Sequence, residues 1–199
     1  MPKETFYKLK DEKKKRILEA AVQEFASRKF SEASLNQIVK TAKIPWGSFY
    51  QYFDGKEDLY LYVIQEMSKY KWDTLKQASV DDIDGNFFDT IREKIMALLE
   101  LRKHNPQYAQ IALFQEMDDN EFIRKLRGDS TKRWKEIIER DKKRGIIKPE
   151  IDADVMIDMF YNFVLLNFYK VGLDEGKFMT RLDKAIKIIR EGSSKEIYP

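Results

Sequence analysis

The sequence predicts an all-α protein, and three observations lead there. Apolar residues recur at spacings of three and four through most of the 199 residues, which is the repeat of one helix face. The 8 glycines and 5 prolines fall mostly at the breaks between such runs. Few segments show the apolar–polar alternation of β-branched residues that marks a half-buried strand. A hydrophobic fraction of 43%, with 13% aromatics, is enough for a packed core.

The elements follow in order. Residues 11 to 29 set Ile17, Leu18, Ala21, Val22 and Phe25 on one stripe opposite charged positions. After "KFSEA", Ser34 followed by Gln37 has the form of a capping box, so a helix should begin there and bury Leu35, Ile38, Val39 and Ala42. The next segment, "KIPWGSFYQYF", is entered through Ile44-Pro45, and proline suits a helix start because its missing N–H needs no partner there. Asp54-Gly55 punctuates, and "KEDLYLYVIQEMSKYKWDTL" continues as a long helix with acids in its first turn. Further helices are expected at roughly 87–103, 107–118, 120–144, 152–173 and 176–191, about nine in total.

Composition removes several classes of chemistry. The chain has no cysteine, which excludes disulfides, thiolate zinc sites and cysteine nucleophiles. Its one histidine, His104, cannot build a multi-histidine site and is expected at an exposed helix end, so no metal or cofactor is expected. No apolar run approaches about 18 residues and the N-terminal segment is charged, so a soluble cytoplasmic protein without a membrane partner is expected. Net charge is +3, but residues 1–55 carry +4 and residues 56–199 carry −1. The excess positive charge therefore sits in the first quarter, where it suits a polyanion as well as a solvated helix face.

At about 100° per residue, Phe49 and Phe53 share one face of the "KIPWGSFYQYF" helix, directed inward against Phe25 and Ile38. Gln51 lies on the far side with Gly47 and Ser48 nearby, and Tyr50 and Tyr52 flank it. Such an outer face suits a groove between two phosphate chains: Ser48, Gln51 and the bare backbone of Gly47 toward base edges, two phenol hydroxyls toward phosphates. Trp46 falls by angle near the inward pair, yet sits at the helix tip where bases are met, so core and base contact both stay open. Two helices joined by "TAKI" form a helix-turn-helix.

"RILEAAVQEFASRKFSEASLNQIVKTAKIPWGSFYQYFDGKEDL", residues 16 to 59, resembles the DNA-binding domain of the TetR (tetracycline repressor) family. The matching positions are Ala20-Ala21, Phe25, Phe30, Ser34, Leu35, Ile38, Ala42, Ile44, Gly47, Phe49-Tyr50, Tyr52-Phe53 and Lys56-Glu57. The resemblance implies a three-helix helix-turn-helix DNA-binding domain, here 1–55, followed by a larger helical ligand-binding and dimerisation bundle, 56–199. It implies that Ser34 caps a helix and bonds a phosphate, that Tyr50, Tyr52 and Lys56 contact phosphates, and that Trp46, Ser48 and Gln51 read bases. Three positions depart from the family's pattern: Lys29 stands for a usual Gly, Val39 for a usual Ala, and Lys43 for the usual Gly of the turn. A glycine there commonly supports positive φ, so mild strain or a slightly different turn is expected at Lys43.

The rest of the chain carries no motif. "DADVMIDMFYNFVLLNFYKVGL", residues 152–173, is apolar around most of its circumference, as a subunit-interface helix or a central core helix would be. With 176–191 it could form a four-helix interface in a homodimer, the use the family makes of its last two long helices. Met67, Trp72, Tyr108, Phe114, Met117, Trp134, Tyr161 and Phe168 are the candidates for lining a pocket for a small organic inducer, each also a candidate for plain core. By this resemblance the chain is a homodimeric regulator, a repressor released from double-stranded operator DNA when an apolar inducer pivots the helix beginning near Lys56. A helical protein–protein adaptor and an all-helical enzyme are the alternatives; for the enzyme, Asp118-Asp119 at a helix break read as capping residues.

Overall fold

A computed structural model describes residues 1–75, 85–170 and 174–193, without the side chains of 70–75, 129–130, 168–170 and 193. Ten α-helices occupy the described residues, with no strand among them. They are α1 (Glu4–Tyr7), α2 (Asp11–Ser27), α3 (Leu35–Thr41), α4 (Trp46–Tyr52), α5 (Lys56–Leu75), α6 (Phe87–His104), α7 (Pro106–Met117), α8 (Glu121–Lys143), α9 (Ala153–Lys170) and α10 (Glu175–Ser193). A 3₁₀ turn, Phe30–Glu32, lies between α2 and α3. The expected helices are present in order; the addition is α1, whose four residues are too few to show a period.

The described residues fall into two compact units, the first within Met1–Gln77 and Glu100–Leu126, the second within Ala78–Leu99 and Arg127–Pro199. In the first, α2 packs against α3, α5 and α7. Its buried stripe holds Ile17, Ala21, Val22 and Phe25, as the spacing of four requires, and Leu18 packs half-buried beside it. Phe25 meets Tyr60 of α5 edge-on at 4.9 Å, and Phe30 meets Phe122 of α8 at 4.9 Å. Ile111 of α7 and Ile123 of α8 are fully buried in the same cluster. Each such side chain contributes about 1.5–3 kcal/mol of burial, so α7 and the start of α8 are part of the core that supports the N-terminal helices.

In the second unit, Phe87 packs edge-on against Trp134 at 5.6 Å and Phe160 at 5.4 Å. The first amides of α6 are all satisfied: Phe87 N–H donates to the buried Asp141 carboxylate at 2.6 Å, and Phe88 and Asp89 N–H donate to Asn86 Oδ1 at 3.0 and 3.1 Å. Arg140 supplies the opposite charge at 3.2 Å from Asp141, which such a buried carboxylate needs.

The turn between α3 and α4 departs from helical geometry at one residue. Lys43 has φ of 53°, the only non-glycine with positive φ among the described residues. Its N–H donates to Lys40 O at 3.1 Å and the N–H of Ile44 to Val39 O at 3.3 Å. These are the paired bonds of a Schellman end, and the buried Val39 and Ile44 form its apolar clasp. The expected strain at Lys43 is therefore real: the turn is made as glycine would make it, with a Cβ in the left-handed region. Lys43→Gly should raise stability by about 1 kcal/mol, the left-handed cost less the added unfolded-state freedom. The urea midpoint of the two proteins reads this, and an unchanged or lower midpoint would refute the strain.

Candidate nucleic-acid interface

Helix α4 begins at Pro45, whose φ of −61° and ψ of 141° turn the chain into the helix without a side-chain cap. Phe49 and Phe53 are fully buried, which fixes the inner face as the 100° rule requires. On the other side Gly47 and Gln51 are exposed and Ser48 is half-buried. Trp46 is 43% exposed and Tyr50 46%. The Trp46 ring stacks beside Phe49 at 6.4 Å and meets Tyr50 edge-on at 5.7 Å. One flank of the indole is sheltered and the rest faces outward, so Trp46 is not a core residue. A Cβ built on Gly47 meets nothing within 4 Å. Nothing among the described residues requires glycine there; what its absence of side chain leaves is bare backbone on the outward face.

Ser34, Tyr52 and Lys56 each have internal partners. Ser34 caps α3 as expected, its Oγ accepting from Gln37 N–H at 3.3 Å. The reciprocal half of the capping box is not made by Gln37: the Ser34 N–H donates to Glu24 at 2.8 Å, and Gln37 turns to Thr41 at 3.2 Å. Tyr52 has its ring buried, with Lys13 Nζ donating to its hydroxyl at 3.0 Å. Lys56 Nζ donates to Phe30 O at 2.7 Å and Ala33 O at 2.9 Å, above the Phe30 ring. An ammonium has three donors, so Lys56 keeps one beyond these bonds. Lys13 is a residue that sequence reading missed; the run Lys13-Lys14-Lys15 marked positive charge there, but not which cation meets Tyr52.

Behind the helix-turn-helix, the buried Asp118 accepts from Ser31 N–H at 2.7 Å and from Asn120 N–H at 3.0 Å. Burial alone would raise its pKa, but the Ser31 and Asn120 bonds and the Lys29 charge outweigh it and hold the carboxyl below its ordinary value. Asp118, expected as a capping residue, accepts the Asn120 amide, while the cap of α8 is Asn120, whose Oδ1 accepts from Phe122 N–H at 2.9 Å; the Asp118 bond to Ser31 spans 87 positions and has no local signature.

The family described as "Bacterial regulatory proteins, tetR family" matches residues 17–63. The HTH-type transcriptional regulator YhgD of Bacillus subtilis is 30% identical over 160 residues, 75% of this chain and 81% of that one. The chain belongs to the TetR family. A TetR-family transcriptional regulator from Chloroflexus aurantiacus has the same fold, with 29% identity, a TM-score of 0.69 and coverage of 98% of this chain and 100% of that one. The repressor KstR2 of Mycolicibacterium smegmatis is 22% identical over 165 residues, 78% of each chain. These TetR-family relatives are regulators, and the protein is a DNA-binding transcriptional regulator with α3 and α4 as its helix-turn-helix, a reading the relatives favour over the adaptor and enzyme alternatives.

The residues expected around an inducer separate between the units. Met67 is buried in the first unit's cluster and Tyr108 packs against it. Phe114 is half-buried and Met117 exposed on α7, also in the first unit. In the second, Trp134 is buried against Phe87, and Tyr161 is half-buried on α9. The side chains of Trp72 and Phe168 lie outside the described residues. His104 is exposed at the end of α6, 2.8 Å from Glu100.

Two outcomes are expected in this TetR-family protein. Gly47→Ala should leave stability unchanged or raise it by up to about 1 kcal/mol, because Ala is the better helix former. The same change should weaken DNA binding about tenfold by blocking backbone approach; binding equal to the parent's would show that Gly47 faces nothing. Asp118→Asn should cost about 2 kcal/mol near neutral pH, measured by urea unfolding. Because the folded carboxyl is depressed below 3.8, its contribution is present above that value and lost as pH falls through the folded pKa, so the gap should close in acid. A gap independent of pH would mean the charge is not what Ser31 needs.

Proposed function

We propose that the protein works as a homodimeric repressor that sets two α4 helices into successive major grooves of an operator and leaves it when a small, largely apolar ligand binds. Residues 1–55 serve DNA and 56–199 serve ligand and partner in this reading. The observation that carries it is the outward face of α4: Trp46, Gly47, Tyr50 and Gln51 exposed on a helix whose opposite side is locked by Phe49 and Phe53. Ser48 and Gln51 are the proposed base readers with Trp46, and Ser34, Tyr50, Tyr52 and Lys56 the phosphate contacts. Tyr52 would act with Lys13, whose ammonium shares its hydroxyl.

Repression is supported by KstR2, a repressor by name. Dimerisation is supported by α9, where Val155, Met159 and Leu166 are 56%, 52% and 54% exposed at positions that share one helix face. Ile188 of α10 is 71% exposed. Water-facing side chains of this size on consecutive helices suit a subunit interface.

The test begins with selection of duplexes from a random-sequence pool, followed by fluorescence anisotropy on the selected and an unrelated duplex at two salt concentrations. Selective binding that survives the higher salt is expected. Tyr50→Phe should weaken both complexes alike, and Gln51→Ala should lose about 1–3 kcal/mol of discrimination only. Sedimentation of the same protein should give the mass of two chains, and Met159→Glu should give one. Failure to enrich any duplex would remove the operator reading, and a monomeric parent would remove the dimer.

A further inference from the structure

The C-terminal end of α4 is held by residues 3 to 5, none of which is among the proposed base or phosphate contacts. The Tyr50 carbonyl accepts from Lys3 Nζ at 2.9 Å, the Gln51 carbonyl from Thr5 Oγ1, and the Tyr52 carbonyl from Lys3 N–H at 2.8 Å. The last four carbonyls of any helix lack partners within it. In a helix running only Trp46–Tyr52, those are most of its acceptors, and three in succession are met by residues 3 to 5. The Lys3 ammonium is also 2.6 Å from Asp54, at the negative end of the α4 dipole. Phe6 anchors the segment: it is fully buried, 5.0 Å from Phe53 and 5.0 Å from Tyr62.

We propose that Lys3 and Thr5 are positioning residues for DNA recognition, fixing the pose of α4 through its terminal carbonyls so that the outer face meets bases in one register. The proposal rests on the regulator reading above. It separates two roles that basic N-terminal residues can play. The Lys3 ammonium is bonded to a carbonyl and paired with a carboxylate, and Thr5 is uncharged, so neither is placed to make a direct bond to phosphate. Loss of both should therefore loosen α4 and reduce discrimination, while leaving the general affinity for DNA in place.

The experiment compares the parent chain with Lys3→Met/Thr5→Val and with the conservative Lys3→Arg/Thr5→Ser. Both positions are accessible and neither side chain is in the core, so folding is retained; thermal unfolding checks it. Hydrogen exchange without DNA should show amides of 49–53 exchanging about tenfold faster in the first variant, with α2 and α5 unchanged. Anisotropy should show the preference for the selected duplex over the unrelated one falling about tenfold, with the salt slope unaltered. The conservative variant should restore both. Unchanged exchange in α4 would overturn the inference alone. A slope reduced by about one, with both duplexes weakened alike, would also overturn it, in favour of direct phosphate contact. A parent without any selective binding would instead overturn the regulator reading and the recognition role with it, while the exchange result still decides whether the segment holds α4.

Discussion

A helix of seven residues cannot stand alone, and α4 spans only Trp46–Tyr52. Nucleating a helical turn costs more than its first bonds return, and isolated helices under about 12 residues are marginal in water. The geometry of the outward face is thus supplied by what surrounds α4. Phe49 and Phe53 sink one side into the core. The Schellman turn through Lys43 aims the chain at Pro45. Residues 3 to 5 take up the carbonyls at the far end. With both ends and one face fixed from outside, the remaining face is free of any folding duty, which is why Gly47 and Gln51 can be chosen for what they meet.

The parts of this arrangement that were legible in the sequence are those written locally. The Ser34 cap follows from a hydroxyl three positions before Gln37, the inward pair from a spacing of four, and the strained turn from a lysine where the family has glycine. The parts that were not legible join residues far apart. Helix α1 is too short for any periodicity. Glu24 takes the Ser34 amide that Gln37 was expected to take, a bond decided by how α2 packs on α3. Tyr52 flanks Gln51 by angle as well as Tyr50 does, but Phe6 covers it, and Phe6 belongs to the unforeseen α1. Trp46, left open by its angle, is outward because the chain enters the helix there and the core is already filled by Phe49.

Charge is abundant in this chain and nearly all of it faces water, so the buried carboxylates are informative. Glu24, Asp118 and Asp141 are three of the four described carboxylates under 10% exposed, Asp58 being the other. Each of the three receives a main-chain amide where a helical segment begins: Ser34 before α3, Ser31 in the 3₁₀ turn and Phe87 at the head of α6. A carboxylate there meets an unpaired donor and the positive end of the backbone dipole at once. None of the three requires a chemical role to account for its burial.

The first unit draws Ile111, Phe122 and Ile123 into the same cluster as Phe25, Phe30 and Tyr60, and Asp118 bonds to Ser31. During synthesis, the N-terminal helices leave the ribosome long before these later residues exist. Until about residue 126 has emerged, the back of α2 has no cover and the Ser31 amide no acceptor. A nascent helix-turn-helix would thus carry exposed aromatic surface for about seventy residues of elongation, several seconds at about 5–20 residues per second. The order in which this chain is made therefore withholds a finished DNA-binding surface until the segment that will carry α7 and the head of α8 has followed it.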